Sequence, residues 1–349
     1  PAASTTSTFL DIRPRVYTNS DSGVTGMAFH PDFTTDNSKR FVYVTYKWDP
    51  RASVANGGAG VSGGDGWWAY WRLSRFEVPV GQNTADETTE VVLVQQFDRN
   101  MLHDSGCMMF GADGYLYFAV GDEGGADDLY DVAQQIDNRI FSGIFRIDVD
   151  NNPATSHSIR RQPVQHPDRP ASWPVSFTAN YTIPNDNPFN DPLPYTNPSN
   201  VLEEYYALGL RQPYRFSRDP VTGIVWIGES GQSAREELNI LESGANYQWP
   251  YKQGSLTGPK APPATIIGTE KSALWEYDRT VGGCIIGGYV YRGSRLPGLV
   301  GRYIAVDNVS AAIFAVDSAD GITLDNQEQL ATMQPGSVFN GSSSCAQDQ

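Results

Sequence analysis

The sequence predicts an all-β chain folded as a β-propeller. Three observations lead there: helical periodicity is scarce, β-branched and aromatic runs end in turn residues, and one hairpin pattern recurs along the chain. The first copy is Met27-Ala28-Phe29-His30-Pro31-Asp32, followed by the run Phe41-Val42-Tyr43-Val44-Thr45-Tyr46. The second is Met108-Met109-Phe110-Gly111-Ala112-Asp113-Gly114, followed by Tyr115 to Val120. The third is Tyr214-Arg215-Phe216-Ser217-Arg218-Asp219-Pro220, followed by Ile224-Val225-Trp226-Ile227, and a further strand is expected from Ile285 to Tyr291. Hairpins that cannot bury both faces alone are expected to stack radially as blades.

The intervals between copies exceed the ~40–50 residues of a usual blade, so insertions must fill the excess. Two are visible. Asn56 to Gly66 is Gly-rich and reads as a flexible loop; Pro163 to Ser199 is rich in Pro, Asn and Asp and reads as a long ordered excursion or lid. A linker is the other reading of the second, but blade-like sequence resumes directly after it. Short helices are expected at Leu129 to Asp137 and Ala234 to Leu241. Residues 1–349 are expected to form a single propeller domain.

Composition narrows the function. Hydrophobic residues make up 40% and charged residues 19%, a globular balance with enough apolar side chains for a sizeable core. The 18 Tyr and 8 Trp suit sheets, and they also suit stacking on sugars. A net charge of −15 argues against nucleic acid or an anionic membrane as partner, because phosphate binding needs clustered Lys and Arg. The acidity serves solubility or favours a bound cation. Cys107, Cys284 and Cys345 form no CxxC pair, so no zinc knuckle or haem c attachment is encoded; one disulfide is open, with its pairing unread. No stretch approaches the ~18 apolar residues of a membrane span, and no signal peptide is visible. The chain starts at Pro1 without Met, as a processed or trimmed product would.

Several segments, in order, carry a resemblance. Gly26-Met27-Ala28-Phe29-His30-Pro31-Asp32-Phe33 comes first; His103-Asp104-Ser105-Gly106 precedes Phe110-Gly111-Ala112-Asp113-Gly114-Tyr115-Leu116-Tyr117 and Val120-Gly121-Asp122. Gly143-Ile144-Phe145-Arg146-Ile147-Asp148-Val149-Asp150 and Tyr206-Ala207-Leu208-Gly209-Leu210-Arg211-Gln212-Pro213 follow. Trp226 to Pro250 and Gly287-Gly288-Tyr289-Val290-Tyr291-Arg292-Gly293 complete the series. Over about residues 23–316 the chain resembles the soluble glucose/sorbosone (aldose sugar) dehydrogenases that use pyrroloquinoline quinone (PQQ), a family to which the Hedgehog-interacting proteins are related. The resemblance implies a six-bladed β-propeller of the soluble quinoprotein glucose dehydrogenase type. Strand pairs that close the ring in the family are not evident at either end here; either the chain is a fragment with an incomplete closing blade, or the closing pieces have diverged.

The resemblance also assigns a site. His103 matches the family's base, a role that suits imidazole because its pKa lies near neutrality. Asp122 matches the carboxylate that fixes the tautomer of that ring. Arg211 matches the arginine over the quinone oxygens, and Gln212 stands where the family has Asn. The backbone carbonyls of Gly231 and Gln232 match those that hold a calcium ion. Two positions depart from the family: Ala312 stands where an arginine contacts the cofactor, and Asp21 with Ser22 replaces a Gln or Glu-Arg pair. Asp21 is expected to repel a tricarboxylate unless calcium intervenes. Arg279 is a candidate for the missing cation. The acidic stretch from Asp122 to Asp131 is expected as a solvated loop, with a second cation site as the other reading, and His30 as a turn residue.

An oxidoreductase is therefore expected, oxidising the anomeric hydroxyl of an aldose with PQQ and calcium and passing electrons to an external acceptor such as a cytochrome. The competing reading is a propeller that binds a protein or glycan without redox chemistry; a glycosidase needs two positioned carboxylates that no motif singles out. The resemblance places the chain outside the cytoplasm, extracellular or periplasmic, and triplets at Asn180, Asn308 and Asn340 fit glycosylation there.

Overall fold

The computed structural model describes residues 7–18, 20–51, 67–190 and 201–332. The expected loop at Asn56 to Gly66, Cys345 and Asn340 lie outside them. Regular structure is almost wholly β, and four antiparallel four-stranded meanders follow one another along the chain. The first joins Val24–Phe29, Phe41–Trp48, Ala69–Glu77 and Asp86–Asp98. Met108–Phe110, Leu116–Val120, Gly143–Ile147 and Tyr205–Leu208 build the second, which Ala245–Asn246 and Thr269–Glu270 extend in parallel. The third contains Pro213–Arg218, Val225–Glu229, Arg235–Ile240 and Trp275–Asp278; the fourth contains Ile285–Val290, Tyr303–Asp307, Ala312–Asp317 and Asn326–Thr332. No helix among the described residues is long and apolar enough to cross a membrane.

Consecutive sheets bury facing side chains against each other, which explains why the predicted inner strands read as continuous β-branched and aromatic runs. Between the first two sheets Trp71 stacks on Phe118, which stacks in turn on Phe145 of its own sheet, with ring centroids 5.6 and 5.2 Å apart. Tyr117, Ile144, Phe216 and Ile227 belong to the apolar cluster shared by the second and third sheets. Between the third and fourth, Trp226 stacks on Tyr303 with planes 7° apart and centroids 4.7 Å apart. There the backbones approach so closely that a side chain at Gly228 would meet Gly287 backbone atoms at 2.6–2.7 Å, so glycine is required.

Two expectations fail for physical reasons. Ala234 to Leu241, expected helical, contains the strand Arg235–Ile240, bonded on one side to Val225–Glu229 and on the other to Trp275–Asp278. Pairing on both edges overrides the helical propensity of Arg-Glu-Glu-Leu. Leu129 to Asp137 forms turns rather than a helix. Positive φ at Asp127, Asp128 and Asp131 interrupts it, and Asp128 Oδ1 accepts from Val132 N and Ala133 N. Pro163 to Ser199 is an ordered excursion up to residue 190, beyond which it lies outside the described residues. Phe177–Thr178 adds a strand to the outer edge of the first sheet at Val94 and Gln95. His30 is buried in its turn, where Nδ1 accepts from Asp32 N at 3.0 Å and Nε2 meets Asp150 at 3.2 Å.

Trp226→Ala removes the stacked pair that joins two sheets and is expected to cost about 3–5 kcal/mol. A urea midpoint matching that of the parent chain would show that the third and fourth sheets do not depend on this contact.

Candidate active site

In an antiparallel meander the loop between the second and third strands and the crossover to the next sheet open at the same end. His103 lies on the crossover from the first sheet to the second; Arg211 and Gln212 lie on that from the second to the third, and Arg279 on that from the third to the fourth. Asp122 and Gly231 with Gln232 begin the loops after the second strands of their sheets, and Asp21 precedes the first strand of all. Topology alone thus gathers the predicted residues at one end of the sheets.

There they join through hydrogen bonds. His103 and Asp122 are buried, and their Nδ1 and Oδ1 are 2.5 Å apart. Asp122 Oδ1 also accepts from Gly124 N at 3.1 Å, and Oδ2 from Trp249 Nε1 at 2.8 Å. A carboxylate held by three donors keeps the imidazole proton on Nδ1 and leaves Nε2 as the proton acceptor. Asp122 N donates to Arg211 O at 2.8 Å, and Arg211 lies over the Trp249 ring, 5.7 Å from its centroid. Trp249 therefore touches both the acid of the His103 pair and the arginine. No local pattern marked it, since it is 127 residues from Asp122 in sequence.

His103 sits in a turn with φ of 61°, followed by Ser105 at 48° and Gly106 at 96°. Non-glycine residues are strained there and need support from outside the turn. Lys47 supplies it from the second strand of the first sheet. Its buried Nζ donates to Asp98 and Asp104 carboxylates, both at 2.6 Å, and to Asn100 O at 2.8 Å. That uses all three ammonium protons. Asp104 also accepts from Ser22 Oγ at 2.6 Å, and its carbonyl accepts from Trp71 Nε1 at 2.9 Å. Burial pushes the ammonium pKa down, but Asp104 and Asp98 outweigh it and the net direction is up.

The cationic side has a different support. Buried Glu229 Oε1 accepts from Arg211 N at 2.5 Å and Gln212 N at 3.1 Å, and burial, with Glu237 beside it, pushes its carboxyl well up. Arg211 Nη1 donates to Ser230 O at 3.1 Å and Gly231 O at 3.2 Å, while its buried Nε has no partner. Arg279 Nη2 reaches the same Gly231 carbonyl at 3.0 Å. Its Nη1 donates to buried Glu236 and to Gly283 O. Asp21 is not a loose charge in this space: Oδ2 accepts from His103 N at 3.2 Å and Gln212 Nε2 at 3.0 Å. Ala312 belongs to the apolar cluster of Trp275, Tyr277 and Phe314.

Calcium takes six to eight oxygens. Here the Gly231 carbonyl already accepts from two guanidiniums, and the Gln232 side chain is engaged with Asp127. A calcium ion does not fit the Gly231 carbonyl as it stands, because two cationic donors already point at it. Nor does the acidic loop gather around one point: Glu123 pairs with Arg99, Asp127 with Gln232, and Asp128 and Asp131 with Lys260. No cluster of three or more metal-ligating side chains occurs among the described residues. An anionic cofactor is another matter, because Arg211 offers a buried donor without a partner and, among the described residues, no carboxylate is paired with its guanidinium. Cys107 and Cys284 are free thiols.

The glucose / sorbosone dehydrogenase family matches residues 2–168 and 154–336. The chain belongs to that family. Among relatives, the HIPL1 protein of Arabidopsis thaliana is 27% identical over 88% of this chain and 46% of its own length. The aldose sugar dehydrogenase YliI of Escherichia coli is 24% identical over 76% of this chain and 57% of its own length. The chain thus spans about half the length of these relatives. A solved glucose dehydrogenase shares the fold with a TM-score of 0.61 at 18% identity, covering 91% of this chain and 75% of the other.

Two predictions arise from the buried charges of this family member. Lys47→Met leaves Asp98 and Asp104 buried without their cation and is expected to cost about 3–5 kcal/mol in chemical denaturation. A loss under about 1 kcal/mol would deny the network its role. The second concerns pH. Burial is the chief cause that pushes Asp128 up to about 6, and Glu204, Glu236 and Glu237 up to about 7. Because these folded-state values lie above the unfolded ones, the stability is present in full below about pH 4 and is lost as pH rises to about 7. His166 opposes this: burial, with Arg139 and Arg99, lowers it to about 3, so its contribution is present above 6.5 and is lost as pH falls. The carboxyls outnumber it, and the thermal midpoint is expected to fall between about pH 4.5 and about pH 7. A midpoint that climbs across this window contradicts the assignment.

Proposed function

We propose that this chain is an oxidoreductase that oxidises the anomeric hydroxyl of an aldose, with His103 as base and PQQ as hydride acceptor. The observation that carries the reading is the buried His103–Asp122–Trp249 chain set beside a guanidinium with no carboxylate partner among the described residues. Oxidation to the lactone removes one O–H proton and one C–H hydride. His103 Nε2 takes the proton, and Asp122 stabilises the imidazolium that results. PQQ, when bound, supplies the electrophile that accepts the hydride. Arg211 and Arg279 hold an anionic cofactor, and Gln212, tied to Asp21, positions Asp21 under the His103 turn.

Family membership, together with the aldose sugar dehydrogenase among the relatives, supports sugar oxidation. Electrons then leave to an external acceptor such as a cytochrome, and the work is done outside the cytoplasm. A six-bladed ring is the matching architecture, with four sheets of four or more strands among the described residues.

Titration with PQQ, read by visible absorbance and followed by aldose, tests the reading. Saturable binding and bleaching of the oxidised quinone by sugar are expected. His103→Ala should abolish turnover, a loss of at least ~100-fold, while saturable PQQ binding persists. Absence of PQQ binding by the folded protein would move the chain to the second class, a propeller that binds a partner without redox chemistry.

A further inference from the structure

We infer that Arg211 and Arg279 form a clamp for a polycarboxylate ligand that needs no divalent cation, standing where a calcium ion would otherwise bridge protein and cofactor. The inference rests on the reading of the site as a PQQ site and deepens it. Two guanidiniums from different crossovers share one acceptor, the Gly231 carbonyl, at 3.2 and 3.0 Å. Their donor nitrogens therefore lie no more than about 6 Å apart, where like charges repel unless something opposes them. Only one is opposed by a direct ion pair among the described residues: Arg279 pairs with buried Glu236, which is fixed in turn by Ile285 N at 2.8 Å. Arg211 has backbone carbonyls, an aromatic face and an unpartnered buried Nε, but no carboxylate.

Arg211 thus brings a guanidinium with no ion-pair partner among the described residues to the end of the sheets that carries His103. A dication on the Gly231 carbonyl would meet that charge and would displace both guanidiniums from their acceptor. A carboxylate would instead complete it, since planar guanidinium forks bind carboxylates through paired, charge-assisted hydrogen bonds. The two residues are not equivalent. Arg279 is anchored by Glu236 and so is pre-set; Arg211 can turn from the Ser230 and Gly231 carbonyls to the ligand without leaving an acid unpaired. The ligand class is a planar, multiply carboxylated molecule such as the quinone itself, held by arginines alone.

PQQ binding by the full chain, followed through quenching of tryptophan fluorescence (Trp249 lies under Arg211), is measured first in EDTA and then with calcium in excess. Saturable binding in EDTA that calcium does not tighten is expected. Arg279→Ala should weaken it at least about tenfold, and Arg279→Lys, which keeps the charge for Glu236 but loses the fork, should fall between. Binding that appears only with calcium overturns the clamp and leaves the dehydrogenase reading intact. Equal affinity of Arg279→Lys, Arg279→Ala and the parent also overturns it. No binding under either condition overturns both.

Discussion

The candidate site depends on one buried ammonium. Lys47 lies in the middle of a sheet, where a charge is costly, yet it is 1% exposed and carries three acceptors. Desolvation of Lys47, Asp98 and Asp104 is repaid only because the two carboxylate contacts at 2.6 Å and the Asn100 carbonyl at 2.8 Å leave no proton of the ammonium unused. The result is geometric. Asp98 and Asp104 bracket the crossover in which His103 is held at positive φ, a conformation the chain would leave if either side were free. From that turn the order spreads outward: Asp21 caps the His103 amide, Asp122 takes its ring, and Trp249 takes the other oxygen of Asp122.

The strands were legible because their chemistry is local. The run Phe41 to Tyr46 lies within the strand Phe41–Trp48, and Ile285 to Tyr291 contains Ile285–Val290, since β-branched and aromatic residues that are buried on both faces have no other use for that pattern. Arg235–Ile240 was misread for the converse reason. Its charged residues favour a helix in isolation, and only the hydrogen-bonded neighbours on either edge decide for a strand. The helix expected at Leu129 to Asp137 fails on backbone geometry at three aspartates, which side-chain periodicity does not report.

The site was legible only as far as its motifs. His103, Asp122 and Arg211 stand in recognisable surroundings, and the meander topology brings them together. Trp249, Lys47 and Glu229 were missed because each acts through a contact made across the fold, with no pattern in its own neighbourhood. Arg279 had no motif either, but a missing cation gave a reason to look for one. Asp21 was read as an intruding negative charge; in the fold it is an acceptor bound by His103 N and Gln212, so its sign matters less than its two partners.

A chain of net charge −15 for which an anionic ligand is proposed poses an apparent contradiction. Distance and dielectric resolve it. Surface charges beyond the Debye length, about 8 Å at physiological ionic strength, are largely screened, whereas two guanidiniums sharing one carbonyl act on a ligand at contact distance in a partly buried site. The nearby acids are also spoken for. Glu229 accepts two backbone N–H groups and has its carboxyl pushed well up by burial, and Glu236 is spent on Arg279 and Ile285 N. Arg211 remains a guanidinium without an ion-pair partner among the described residues. Binding there would be set by which guanidiniums lack a carboxylate partner, and net charge does not measure that.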